Sequence, residues 1–174
     1  MTQKEDIKEK ELEPILNFRR QGDIESLKIK NLRAKTGKKL IKAKDMPWEI
    51  NEQGVIRKYT AGQELTNDNW VIFCHEIRGH SGKHRHQGGK ALFVVKGKGY
   101  SVVDGVRYNW QEGDLICLPV KKGGCEHQHF NVDGKPSRWV AMHTMPIFDL
   151  LGNAKEQVET FGMWKKELVK EPKK

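Results

Sequence analysis

Apolar and polar positions divide the chain into three stretches of different texture. From residue 2 to about residue 40 charge dominates. Ile15, Leu16, Phe18, Ile24, Leu27 and Ile29 are set in it at loosely helical spacing, interrupted at Gly22. This stretch reads as a helical or extended arm, and Lys44-Asp45-Met46-Pro47-Trp48 as the turn into a folded body. Between residues 55 and 144 the texture changes to short runs rich in β-branched and aromatic residues, punctuated by Gly, Asn and Asp. The runs at 55–59, 70–77, 92–95, 100–103, 106–110, 114–118, 126–132 and 139–144 predict strands of an all-β sandwich or barrel. Asp104-Gly105 is a two-residue hairpin signal between two of them, and Gly97-Lys98-Gly99 and Gln111-Glu112-Gly113 are further turns. Residues 150–168 are helical in composition, with Val158, Phe161, Trp164 and Leu168 forming one stripe suited to packing on the barrel. The division is thus a charged arm at 1–45, a β-barrel at 46–148, and a C-terminal helix and tail at 149–174.

Composition changes this picture little. A length of 174 residues suits one domain with appendages, and the low hydrophobic fraction, 36 %, comes from the Lys/Glu-rich ends. The formal charge of +9 raises the question of nucleic acid. The excess lies in the N-terminal third, at Lys28, Lys30, Arg33, Lys35, Lys38, Lys39, Lys42 and Lys44. Acidic residues are mixed in and no nucleic-acid motif accompanies them, so a solvated surface is expected. Cys74, Cys117 and Cys125 are odd in number and show no CxxC spacing, which argues against a disulfide framework or a zinc knuckle. Cys74 and Cys117 read as small buried hydrophobes inside strands. The opening residues are too polar for a signal peptide and no apolar run approaches a membrane span; the expected location is the reducing cytoplasm.

The candidate chemistry is in the histidines. All seven fall between His75 and His143. In a strand, side chains at i and i+2 leave the same face, so His84 and His86 can point together at one ion, and His127 and His129 repeat that geometry. One such pair is more often a core histidine satisfied by the backbone. Two pairs separated by a hairpin point to a metal site, because neutral imidazole is a common nitrogen ligand. His75, within a strand, and His80, in a turn, are not expected to be ligands. His143 is either a core residue or stands beside the ligands, and Trp110 and Trp139 read as core.

At this point the chain resembles the cupin superfamily. His84, His86, residues 93–95 and Gly97 match its first motif; Gly113, Pro119, His127 and Asn131 match its second, with a short insertion within residues 121–126. The resemblance covers about residues 72–144 and implies a double-stranded β-helix, a jelly-roll barrel of antiparallel strands. Where many cupins carry a glutamate ligand, this chain has Lys90. The resemblance therefore implies a three-histidine shell, His84, His86 and His127, and is greatest to the gentisate and salicylate ring-cleaving dioxygenases, which also lack that glutamate. By that pattern His127 binds the metal, His129 stands just outside it as an acid–base group, and Asn131 is a structural partner. Gln87, Gly88 and Gly89 would line the entrance.

The arginine that grips the substrate carboxylate in those enzymes is replaced by Leu92, and only one set of motifs is present, so gentisate itself is not the expected substrate. Lys90, Arg78 or Arg57 could hold a carboxylate, or the substrate has none; Lys90 reads more simply as a solvent-facing replacement. The substrate-contact set is Gln87, Lys90, Leu92 and His143. What the resemblance implies is one divalent metal, Fe(II) first, with Zn(II), Ni(II) or Mn(II) as alternatives. With Fe(II) it implies a dioxygenase acting with O2 on a small chelating aromatic or enol/dicarbonyl substrate. A non-catalytic ligand-binding cupin and a metal-dependent isomerase or lyase are the alternatives. A homodimer is expected, paired through edge strands, with no nucleic acid or membrane partner.

Overall fold

Apolar alternation closes the middle of the chain into two antiparallel sheets, as the computed structural model shows. The structure describes residues 9–67, 69–150, 152 and 154–162. These fall into two compact units. The first contains the described residues up to 39 together with 64–67. Its helix α1, Glu9–Thr36, runs through Gly22 without a break. One interior glycine costs a helix about 1 kcal/mol, too little to end so long a run of Glu, Lys, Arg and Leu. Arg33 and Lys35 in the last turn suit the negative end of the helix dipole. Thr36 Oγ1 donates to the Leu32 carbonyl at 3.0 Å and the Gly37 amide to that of Arg33 at 2.8 Å, which closes the helix end. Lys38 then bridges to Leu65. A Cβ on Gly37 would lie 2.6 Å from the Thr66 amide nitrogen, so only glycine allows this approach.

The second unit contains residues 40–63 and the described residues from 69 onward. After a 3-10 turn at Ala43–Asp45 come strands β1 (Glu49–Asn51), β2 (Gly54–Lys58), β3 (Trp70–Ile77) and β4 (Lys83–His86). They are followed by β5 (Lys90–Lys96), β6 (Lys98–Val103), β7 (Val106–Gln111) and β8 (Leu115–Leu118), then β9 (Cys125–Asn131) and β10 (Ser137–Thr144). Helix α2 (Met145–Leu150) and strand β11 (Glu156–Glu159) complete the described chain. One sheet has six strands in the order β1-β2-β3-β10-β5-β8, and the other five in the order β11-β4-β9-β6-β7. This is an all-β barrel as the strand pattern predicts, with the jelly-roll form that the resemblance implies.

Period-two burial carries the packing. On β10, Ser137, Trp139, Ala141 and His143 are buried while the residues between them are not. Trp139 and Ala141 join Leu92, Val94, Trp110 and Leu118 in one core between the sheets. The β6–β7 hairpin turns at Asp104 and Gly105 with φ of 49° and 83°, the two positive values that a tight hairpin of this kind requires.

Three expectations do not hold in the barrel. Residues 156–159 are strand rather than helix: Glu156 pairs with Arg85 and Gln157 with His84, giving the outer edge of β4 a partner. Val158 is exposed on that strand and Phe161 is buried beyond it, so they share no helical stripe; Trp164 and Leu168 lie outside the described residues. The unit also begins before residue 46. Cys117 is exposed, because Ile116 and Leu118 take the inward positions of β8; Cys74 and Cys125 are buried.

Candidate metal centre

Strand β4 supplies two inward histidines because its side chains alternate: His84 and His86 are buried and Arg85 points out to Glu126. Antiparallel pairing sets His84 opposite His127 on β9. Ring centroids are 4.2 Å apart for His84–His127, 4.7 Å for His86–His127 and 5.4 Å for His84–His86. One nitrogen from each lies within 4.8 Å of the others, and this is the set among the described residues arranged to hold a metal ion. The site thus needs one strand, one partner strand and an unbroken register between them.

The donor set suits a metal. His127 Nδ1 lies 3.0 Å from the Cys125 carbonyl, which can only accept, so the ring proton sits on Nδ1 and Nε2 keeps its lone pair. His84 Nδ1 and His86 Nε2 are buried with no hydrogen-bond partner among the described residues. Gly88 donates its backbone N–H to His86 Nδ1 at 2.9 Å, which places the neutral ring's proton on Nε2; a metal held at Nε2 requires that amide to turn away and the proton to move to Nδ1. Burial, then the neighbouring rings of His127 and His86, holds the His84 pKa far below the ordinary histidine value. Burial and the Lys90 charge push His86 down to about 2. Burial pushes His127 down to about 4, partly offset by the Cys125 carbonyl. At neutral pH all three are uncharged imidazoles, the form that binds metal.

His129 continues the same face of β9, with its ring centroid 5.5 Å from that of His127, but does not join the three-nitrogen group. Its Nδ1 lies 2.7 Å from Ser101 Oγ, and the Trp110 indole donates to the same oxygen at 2.9 Å. An indole N–H only donates, so the serine hydroxyl accepts from Trp110 and has its own proton to give to His129 Nδ1. His129 then presents Nε2–H. Burial, and next the nearby His127, holds its pKa well below the usual value.

A cavity opens against His84, His127 and His129, and it is completed by Gln53, Phe73, His75, Lys90, Leu92, Leu118 and Trp139. Its volume is about 10 Å³. That is about room for one water. None of these lining residues is a carboxylate.

Lys90 does not face solvent as the simpler reading expected. It stands in this cavity, its Nζ 5.8 Å from the Phe73 ring centroid. Burial, then the charge of Lys155, pushes its pKa down to about 8, which leaves it a cation at neutral pH. Leu92 is fully buried and forms part of the apolar wall. His143 is buried on β10, with its pKa pushed down to about 4 by burial and then by the Lys90 charge. Neither His143 nor Gln87 is among the residues lining this cavity; the Gln87 carbonyl instead accepts the Lys121 amide at 3.2 Å. Arg57 stacks over Trp48 at 4.3 Å and Arg78 pairs with Glu76 at 2.9 Å, both away from the cavity lining. Asn131 has the structural role expected: its Oδ1 accepts from Ser137 Oγ and from the Asp133 amide, each at 2.8 Å.

His75 is the cavity residue that the sequence did not single out. It is not part of the metal-holding group, yet it lines the cavity, with its ring 4.8 Å from that of Trp139. Burial pushes its pKa down to about 3, against the opposing effect of the Gln53 carbonyl. Gly54, at φ +140°, leaves room for it: a Cβ there would collide with His75 Nε2. The available signal was its place in a strand two residues before Ile77, an inward position.

Residues 72–143 match the model of the cupin domain family. No curated protein sequence matches the chain. Among solved structures, a variant of salicylate 1,2-dioxygenase from Pseudoaminobacter salicylatoxidans in complex with gentisate is similar at TM-score 0.52 and 16 % identity, over 92 % of this chain and 51 % of that one. Another salicylate 1,2-dioxygenase variant from that organism matches at 24 % identity and TM-score 0.47, over 59 % of this chain; the chain spans only 29 % of its length. A variant of Streptomyces PAC13 with uridine is similar at TM-score 0.50 and 12 % identity, over 72 % of this chain and 93 % of that one. At these identities the likeness concerns the fold. Among the described residues no helix is long and apolar enough to cross a membrane.

Proposed function

We propose that this chain, whose residues 72–143 form a cupin domain, holds one divalent metal on His84, His86 and His127 and oxygenates a small chelating substrate. The observation that carries this reading is the convergence of three buried, neutral imidazoles without a carboxylate among the cavity-lining residues. Fe(II) held so would supply a redox-active centre with positions left for two substrate oxygens and O2. The substrate class is an aromatic with adjacent oxygens, or an enol or dicarbonyl compound.

The chain's own residues do the rest. Leu92, Leu118 and Phe73 give the cavity an apolar lining that disfavours water. With room for about one water, the cavity has to widen before a substrate with two coordinating oxygens can reach the metal ligands. His129 holds a proton at Nε2, steadied at Nδ1 by Ser101, and offers it as a hydrogen bond to the bound oxygens. Gln87 and His143, outside this lining, would meet the substrate's body. The chain shares its fold with a salicylate 1,2-dioxygenase variant in complex with gentisate, in keeping with oxygen chemistry.

Protein purified without oxygen and loaded with Fe(II) is expected to consume O2 with at least one of catechol, salicylate, gentisate or a β-diketone. No uptake with any of them would sink the dioxygenase reading. Tight Zn(II) or Ni(II) content in that protein would redirect it to isomerase or lyase chemistry on the same ligands.

A further inference from the structure

The two sheets part at one flank of the barrel, where β7 is the last strand of one and β8 the last of the other. Register sets Val106, Tyr108 and Trp110 opposite Val103, Ser101 and Gly99, the buried, inward positions of β6. All three therefore leave the core side of β7. Trp110 is buried there, yet Val106 and Tyr108 are each 53 % exposed. They line a cleft of about 580 Å³, together with Leu115 of β8. Small-molecule sites span about 300–1,000 Å³. Among the described residues the lining holds two carboxylates, Asp104 and Asp114, and no Lys or Arg. Asp104 is paired with Lys121 at 2.9 Å. Asp114, which accepts the Gln111 amide at 2.8 Å, is exposed and brings negative charge to the aromatic wall. Trp110 also belongs to the interior. Its indole N–H donates to Ser101 Oγ at 2.9 Å, and that oxygen lies 2.7 Å from His129 Nδ1. Gly99 closes one side of the indole, since a Cβ there would collide with the ring. One side chain thus lines the cleft and begins a chain of hydrogen bonds that ends at His129, beside the three histidines.

We propose that this cleft binds a small aromatic ammonium compound, and that its occupancy is passed through Trp110 and Ser101 to His129. The ligand's ring packs on Tyr108 and Trp110 while its ammonium meets Asp114, so that aromatic contact and opposite charge act in one site. A ligand seated between β7 and β8 shifts the indole, and the N–H turns away from Ser101. The serine hydroxyl then loses the donor that fixes its rotation, and its own hydrogen bond to His129 Nδ1 loosens. Trp110 and Ser101 are positioning residues here, acting on the metal centre only through His129. The cleft and the relay stand without the metal; only their consequence for oxygenation rests on the function proposed above.

The probe is 2-phenylethylamine, with 2-phenylethanol as its neutral counterpart, added to the full-length protein. Two signals are read in ¹H–¹⁵N spectra. One is the Trp110 indole N–H, identified by its loss in Trp110→Phe; the other is the His129 ring, identified by its loss in His129→Gln. The amine is expected to shift both saturably with one affinity, and the alcohol to bind at least tenfold more weakly. Asp114→Asn is expected to bring the amine down to the level of the alcohol. In Ser101→Ala the amine is expected to bind within a few-fold of wild type while the His129 signals no longer move. Ser101→Cys, a weak donor of similar size, gives the same measurement where the alanine variant does not fold. Zinc content, measured separately by elemental analysis, tests the metal reading and leaves these titrations untouched. No saturable shift, or equal affinity for amine and alcohol, would overturn the site. His129 signals that stay still in the wild type, or that move as far in the Ser101 variants, would overturn the relay, as would loss of amine binding in both variants.

Discussion

At the scale of single residues, the site depends on three rings kept neutral and on one hydroxyl that fixes a fourth. Replacing His84 by alanine removes one of three ligands and leaves a two-imidazole site with no carboxylate to compensate. Metal content is expected to fall from one per chain to near zero after dialysis against micromolar free metal, measured by elemental analysis. Retention of one metal per chain would mean that the ligand assignment is wrong. Ser101 makes a different prediction. Ser101→Ala strips the partner from both the Trp110 N–H and His129 Nδ1, two buried polar groups. Leaving a buried group unsatisfied costs about 1–3 kcal/mol. A loss of that order is expected in urea unfolding, with a change in the His129 ring ¹⁵N shifts as the tautomer is released. A packing role alone would lower stability without moving those shifts.

At the scale of elements, the metal centre is held by β4, a four-residue strand sandwiched between β9 and β11. Gln157 on β11 secures this edge, its side-chain amide donating to the Glu159 carbonyl at 2.9 Å and to the Lys83 carbonyl at 3.3 Å. Gln157→Pro removes the ladder donor and the side-chain amide together. It is expected to lower the unfolding midpoint and to weaken metal retention, although Gln157 touches no ligand nitrogen; thermal melts and metal content check both. This strand also shows what the sequence could convey. Alternation within β4, β9 and β10, the Asp104-Gly105 turn and the two HxH pairs are local signals, and they marked the strands of the barrel and the three histidines that the structure brings together. The residues of β11 carry a helix-like composition, and their conformation is decided by an edge of β4 some seventy residues distant. A lysine at the start of a strand gives no sign of its inward direction, so Lys90 read as solvent-facing. His75 had no paired histidine to mark it, and Gly22 suggested a break where helix propensity on both sides prevailed.

At the scale of the whole molecule, the unusual property is the number of histidines buried in one barrel. His75, His84, His86, His127, His129 and His143 are all buried, and burial lowers the pKa of each. The unfolded chain takes up protons near the ordinary histidine value, about 6.5, whereas the folded barrel does not until pH falls to about 4 for His127 and about 3 for His75. Between those values the unfolded state binds more protons, so stability rises with pH in that window. It is fully present above about pH 6.5 and is lost as pH falls through the folded values. Each pH unit is worth about 1.4 kcal/mol per such group. His127 and His75 together thus remove about 4 kcal/mol between pH 6.5 and 4.5, close to the lower end of the stability of a small domain, about 5–15 kcal/mol. Metal-free protein is therefore expected to unfold cooperatively in mild acid, near pH 5. Bound metal, which selects the folded neutral rings, should move that transition to lower pH. Circular dichroism across a pH titration, with and without Zn(II), measures both. A metal-free barrel that stays folded at pH 4 would show that these histidines gain protons without unfolding, and that their burial is less complete than the structure has it.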